Sequence, residues 1–308
     1  MTVWRARSLM PELPDVDVYV EAIRARVAEH KLIRTIVKSP FLLRSTTPPI
    51  TATAGRTVVE VRRVGKQIAI GVEGDLWIVL HLMIAGRLHW KASPPKLGSR
   101  NILVALEFDN GWLWLTEAGT QRRAALRVVE GQAGLQSLMA GGIEPLDASL
   151  DAFATALRSS NHTLKRSLTD PHIFSGIGNA YSDEILHRAQ LSPIAMTQKL
   201  TDDEVRRLYD ATRATLVEWT DRLRAESDGN FPEKVTAFRP EMAVHGKYGK
   251  PCPRCGAKVQ RIRYASNETN YCAKCQTDGR LLADRALSRL LHEDWPRTLD
   301  ELEALKKR

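Results

Sequence analysis

The sequence predicts an α+β protein built in successive parts, and three observations predict it. Short alternating or buried apolar runs fill residues 33–129, the period of strands packed as a sandwich or barrel. From residue 150 the apolar spacing changes to steps of three and four, the helical period. All four cysteines of the 308-residue chain then fall in two pairs, Cys252-Pro253-Arg254-Cys255 and Cys272-Ala273-Lys274-Cys275, the spacing of a zinc ribbon.

Each element has its own signal. Residues 1–9 are basic and without period. Val16, Val20, Ile23 and Val27 then mark one face of a helix, with Asp15 and Asp17 where a helix start favours acids. Strands are expected at 57–64, 67–72, 76–82, 102–108 and 112–116, the last two joined by the tight turn Asp109-Asn110-Gly111. Residues 131–148 are glycine-rich and weakly patterned, which predicts a linker. Helices are expected at 151–159, 164–168, 179–189 and 202–224, the last opened by a capping box of Thr201 and Glu204. Ser175-Gly176-Ile177-Gly178-Asn179 leads into the third of these. Such a turn bares backbone N–H groups that suit a phosphate, or it simply connects two helices. Residues 226–250 read as a flexible segment, and 281–291 and 299–305 as helices behind the ribbon.

In each Cys-x-x-Cys turn both sulfurs can face one ion, and two such turns close a tetrahedron around Zn2+. The other reading of four cysteines is two disulfides. Residues 258–264 and 268–271 predict a hairpin between the pairs. A closed four-cysteine site is structural, so the question becomes what the hairpin is held against. The chain carries 45 Lys+Arg and 36 Asp+Glu, a net +9. Ten basic residues against three acidic ones lie between His245 and Arg289. A metal-stiffened basic hairpin suits phosphates, although a merely solvated basic face has the same composition. No apolar run approaches the roughly 20 residues of a membrane span, and no apolar signal core follows Met1. A cytoplasmic, nucleoid-associated monomer is the expectation.

Four pieces in this order resemble the formamidopyrimidine-DNA glycosylase and endonuclease VIII family: Met10-Pro11-Glu12-Leu13-Pro14, Val64-Gly65-Lys66, residues 176–184, and the four-cysteine ribbon ending at Gln276. The resemblance covers most of residues 10–276. It implies an N-terminal helix on a two-layer β-sandwich (10–130), a linker (131–148), a helical domain with a helix–two-turn–helix (149–230), a zinc ribbon (245–280) and a C-terminal extension (281–308). It implies a bifunctional glycosylase and AP lyase acting on double-stranded DNA with a damaged base or abasic site. Pro11 matches the family's nucleophile, Glu12 its acid and Lys66 its hairpin lysine. His81, Asn179 and Lys165 match residues that hold the kinked DNA backbone. Taken alone, Pro11 reads as a helix-entry proline, Glu12 as a helix-start charge and Lys66 as a solvated turn.

The chain departs from the family pattern in four places. Nine residues precede Met10, and a proline inside a chain has an amide nitrogen that cannot form an iminium, so Met10 is expected to be the true start. Asn267 stands where the ribbon hairpin carries a phosphate-gripping arginine, which predicts weaker δ-elimination or a shifted role for Arg261 or Arg263. Ile84 stands at the void-filling methionine, and Arg122 or Arg123 takes the arginine position of a second loop in which no aromatic wedge follows. About thirty residues follow Cys275, among them Arg285, Arg289 and Trp295, for which packing on the ribbon is expected over DNA contact. Two other classes compete: a non-catalytic binder of damaged DNA or junctions with the same fold, and a basic zinc-ribbon RNA-binding protein.

Overall fold

The computed structural model describes residues 10–118, 122–233, 239–264, 267–283 and 296–306. The chain divides into two compact units, one made of the residues up to 140 together with 218–233 and the other of 141–217 with the described residues from 239 on.

In the first unit, helix α1 (Leu13–Val27) buries Val16, Tyr19, Val20, Ile23 and Val27 along one stripe. Eight strands follow: β1 (Lys31–Val37), β2 (Arg56–Val64), β3 (Gln67–Val72), β4 (Leu76–His81), β5 (Gly86–Lys91), β6 (Ile102–Phe108), β7 (Gly111–Glu117) and β8 (Ala125–Glu130). Their order is β5-β7-β6-β1-β2-β3-β4-β8, antiparallel throughout. β1 and β2 share only the pairs Lys31↔Thr57 and Leu32↔Arg56. The sheet folds over at that narrow join into two layers. Ile68, Ile70, Ile78 and Leu80 from one layer and Val104, Leu106, Leu113 and Leu115 from the other meet in one core with the helix stripe. The sandwich reading therefore holds, and the barrel reading does not.

Residues 131–136 depart from the linker expectation by forming helix α2 (Gly131–Gln136). Gly131 starts it at φ +71°. Leu135 is buried with Val64, Trp77 and Val79 in a second, smaller core. A Cβ on Gly134 would stand 3.0 Å from Val129 Cβ, so this glycine permits a close helix–strand approach rather than breaking the helix.

In the second unit lie α3 (Leu150–Arg158), α4 (Leu164–Thr169), α5 (Asn179–Ala189) and most of α6 (Asp202–Ser227). Ser149 and Thr163 cap α3 and α4. Thr201 and Glu204 form the expected box, with Thr201 N–H donating to Glu204 Oε2 at 2.9 Å. The ribbon hairpin is β9 (Gln260–Tyr264) and β10 (Asn267–Tyr271), followed by α7 (Ala273–Gln276) and α8 (Leu299–Lys306). Of the segment expected to be flexible, Phe231 joins the sandwich core and residues 243–245 are hydrogen-bonded to Glu184, while residues 234–238 lie outside the described residues. Residues 284–295, with most of the helix expected at 281–291 and with Arg285, Arg289 and Trp295, lie outside the described residues. Among the described residues no helix is long and apolar enough to cross a membrane.

Candidate active site and metal centre

Pro11 and Glu12 lie buried at the entry to α1. Glu12 is the residue before the helix. Its N–H donates to Asp15 Oδ2 at 3.0 Å, and its carboxylate accepts from Asp15 N–H, a reciprocal capping box. Pro14 in the first turn needs no hydrogen-bond partner for its nitrogen.

Lys66 occupies the two-residue turn between β2 and β3, where Gly65 takes φ +61°. The turn is tied to α1. Arg63 Nε donates to Asp17 Oδ1 at 2.7 Å, and Arg63 Nη1 donates to Gly65 O at 3.2 Å. Arg24, two turns further along α1, donates to Val61 O from Nε and Nη2 at 3.1 and 2.6 Å. Helix and hairpin are thus fastened at two levels, which brings Lys66 within electrostatic range of Glu12. Burial pushes the Lys66 ammonium below its ordinary value, and the Glu12 carboxylate opposes that shift.

His81 closes β4, opposite Gln67 on β3 and Ala125 on β8. Burial, then the positive charges of Lys66 and Arg127, lower its pKa to about 4. The imidazole is therefore neutral at pH 7. Its Nδ1 accepts from Met83 N–H at 3.1 Å, so the proton sits on Nε2 and is available to an acceptor. The following loop presents Met83 at φ +51° and an exposed Ile84. Gly86 ends it because a Cβ there would meet Leu82 O at 2.3 Å.

The second expected loop is built around an acid the sequence reading overlooked. Glu117, 1 % exposed, accepts from the N–H groups of Arg123 and Ala124 at 2.9 to 3.1 Å. Arg122 Nη2 donates to Arg100 O at 2.6 Å, and both arginines are exposed. Residues 119–121 lie outside the described residues.

In the second unit, Lys165 on α4 reaches the first turn of α5. Its Nζ donates to Asn179 O at 2.7 Å, Ser182 Oγ at 2.8 Å and Asp183 Oδ1 at 2.5 Å. Asn179 Nδ2 donates to Glu268 O on β10 at 2.9 Å. Asn267 begins β10 opposite Tyr264. The strand alternation places Arg261 and Arg263 with Glu268 on the other face of the hairpin. Arg261 lies over the Tyr248 ring at 4.0 Å and within 3.4 Å of Glu268 Oε2, and Arg263 lies 3.5 Å from the same oxygen. Asp183 and Glu268 went unnoticed in the sequence, where acids on a helix or hairpin resemble solvated charges, and so did His245, which nothing local to it marks.

The four sulfurs of Cys252, Cys255, Cys272 and Cys275 lie within 4.8 Å of one another. Cys255 Sγ is 3.4 Å from Cys272 Sγ, and Cys252 Sγ is 4.0 Å from Cys275 Sγ. A zinc–sulfur bond of about 2.3 Å sets tetrahedral edges of about 3.8 Å, so the cage fits one structural Zn2+. His187 Nε2 lies 3.2 Å from Cys252 Sγ. A metal-bound thiolate only accepts, so His187 would donate there and steady the ligand.

Family models describe the same three parts. The formamidopyrimidine-DNA glycosylase N-terminal domain matches residues 10–124, its H2TH domain residues 142–222, and the zinc finger found in FPG and IleRS residues 249–277. The formamidopyrimidine-DNA glycosylase of Thermus thermophilus is 32% identical over 284 residues, 88% of this chain and 100% of that protein. The chain belongs to the formamidopyrimidine-DNA glycosylase family. The crystal structure of the Thermus thermophilus family member superposes with a TM-score of 0.72 at 31% identity, covering 86% of this chain and 98% of that one. A mutant of the Lactococcus lactis FPG in complex with a Fapy-dG-containing DNA shares the fold, with a TM-score of 0.77 at 24% identity over 87% of this chain and 100% of that one.

As a member of the glycosylase family, this chain joins its departures to particular contacts. The first family match begins at Met10, after the aperiodic basic residues. In the loop that lacks an aromatic wedge, Ala124 is 3 % exposed and tied to Glu117. Both arginines near Asn267 already share Glu268.

Proposed function

We propose that the protein is a base-excision DNA glycosylase and AP lyase, which removes damaged, chiefly oxidised, bases from duplex DNA and nicks the abasic strand through a proline Schiff base. The observation that carries this reading is that Lys66, distant in sequence, lies within electrostatic range of Glu12, the residue that follows Pro11 at the entry to α1. With its chain nitrogen freed, Pro11 is a secondary amine that attacks sugar C1′. The base leaves with the C1′–N bond electrons and is protonated. Glu12 delivers a proton to the sugar ring oxygen as the ring opens, giving an iminium between Pro11 N and C1′. The iminium acidifies the C2′ proton. Loss of that proton expels the 3′ phosphate, and a Lys66 with lowered pKa shuttles protons in this step or steadies the leaving phosphate. The neutral Nε2–H of His81 supplies a phosphate donor close to Lys66. The helix–two-turn–helix and basic ribbon supply the wider DNA surface.

The amine must be free, so the mature enzyme starts at Pro11. The start of the first family match at Met10 supports this. Asn267, neutral and short, leaves β-elimination dominant. Single-turnover cleavage of a panel of duplexes with oxidised purines, oxidised pyrimidines or an abasic site tests the reading. A chain starting at Pro11 is expected to cut at least one lesion duplex, and the full 308-residue chain is expected to cut none. The second reading, a non-catalytic damage binder, is favoured by one observation, the residues preceding Pro11. It requires damage-selective binding with no cleavage by either form.

A further inference from the structure

β10 is the free edge of a two-stranded hairpin among the described residues, and α5 closes that edge with side chains. Asn179 Nδ2 donates to Glu268 O at 2.9 Å, and Asp183 Oδ2 accepts from Asn270 N–H at 3.1 Å. Asn179 and Asp183 stand one helical turn apart, about 6 Å along the axis. Glu268 and Asn270 stand two residues apart on the strand, about 6.7 Å. The repeats match, so one helix face offers a donor and an acceptor where a neighbouring strand would.

Asp183 is the hinge pin of this arrangement. Its side chain is 0 % exposed, and its two oxygens serve Lys165 Nζ at 2.5 Å, His245 Nδ1 at 2.8 Å and Asn270 N–H. Glu184 beside it accepts from the N–H groups of Ala243, Val244 and His245 at 2.8 to 2.9 Å. The ammonium of Lys165 has three protons, and it has three acceptors here: Asn179 O, Ser182 Oγ and Asp183 Oδ1. A lysine so engaged does not reach for a phosphate without breaking one of these bonds.

We propose that Asp183 is a positioning residue that makes α5 a surrogate third strand of the ribbon hairpin, so that Asn179 and the hairpin end bearing Asn267 meet the DNA backbone as one body. Lys165 acts through Asp183 and Asn179 rather than on phosphate. This inference rests on the proposed DNA-repair function.

Asp183→Asn tests it. Asparagine keeps the shape, but either orientation of its amide sets an NH2 against a donor: Lys165 on one side, or Asn270 N–H and His245 on the other. The expected result is at least a tenfold faster hydrogen exchange at the Asn270 amide. The Kd for a duplex with a non-cleavable abasic analogue should rise about tenfold, with a salt slope lower by about 0.9, one phosphate contact. The single-turnover rate at saturating enzyme stays within about twofold and zinc content is unchanged, a pattern that general destabilisation does not give. Unchanged affinity and slope, with or without faster exchange, would overturn the proposal, as would a fall in single-turnover rate at unchanged Kd. If the variant fails to fold, the unaltered protein decides: an Asn270 amide that exchanges like an unprotected one refutes the coupling, and a protected one supports it. A wild-type protein with no preference for the abasic duplex instead removes the functional reading, and the exchange measurement still judges the edge closure.

Discussion

Arg63→Met would test how Lys66 is held near Glu12. Arg63 touches both α1, through Asp17 at 2.7 Å, and the turn bearing Lys66, through Gly65 O. Its side chain is 13% exposed and that of Asp17 25%, so the ion pair is partly shielded from solvent. A hydrogen bond to a charged group contributes about 1.5–3 kcal/mol, and partial exposure places this one near about 2 kcal/mol. Methionine keeps much of the apolar stem, which isolates the guanidinium. The larger effect is geometric. The link from Arg24 to Val61 O remains further along α1, so α1 stays on the sheet while the turn gains freedom against Glu12. A displacement of about 1 Å at reacting groups costs on the order of 100-fold in rate. Urea unfolding and single-turnover cleavage of abasic duplex, in the chain starting at Pro11, should show a modest stability loss with a roughly 10- to 100-fold slower rate. Arg63→Lys should fall between, because lysine cannot span both acceptors with a fork. A variant that loses about 2 kcal/mol yet cleaves at the wild-type rate would refute the claim that this link places Lys66.

His81 is neutral in the fold with a pKa of about 4, against an ordinary 6.5. The unfolded chain therefore takes up the proton first, and stability present above about pH 6.5 is lost as pH falls toward 4, by about 3 kcal/mol; His81→Gln should flatten that part of the stability–pH curve, as followed by urea melts from pH 4 to 7. Zinc removal by a chelator should unfold the ribbon hairpin and weaken DNA binding at least tenfold, read by exchange at Tyr271 and by titration with duplex. Asn267→Arg should raise the share of δ-elimination product, visible as a change in the 3′ ends on a sequencing gel, and an unchanged product ratio would show that the residue at this position does not set the balance of β- and δ-elimination.

What the sequence made legible divides along physical lines. Cysteine spacing reports metal geometry directly, so the ribbon was readable without a fold. The α1 stripe of Val16, Val20, Ile23 and Val27 and the glycine-containing turn before Lys66 carry local periods and conformational demands that survive any tertiary context. The helix at Gly131–Gln136 was missed because Gly134 looks like a breaker in sequence, whereas its packing against Val129 is a tertiary fact. Asp183, Glu117 and Arg63 were invisible for a related reason. Each is an ordinary charged residue whose role is set by a partner six to eighty-seven residues away. The assignment of Pro11 and Glu12 came from resemblance, since an isolated proline and glutamate at a helix start carry no chemical signature.

The most direct measurement is borohydride reduction of the Pro11-initiated protein mixed with abasic-site duplex, followed by digestion and peptide mapping of any adduct. A covalent protein–DNA species with the deoxyribose carbon on the nitrogen of Pro11 is the expected result. No adduct, or one on Lys66 or another lysine with Pro11 unmodified, would contradict the proline imine.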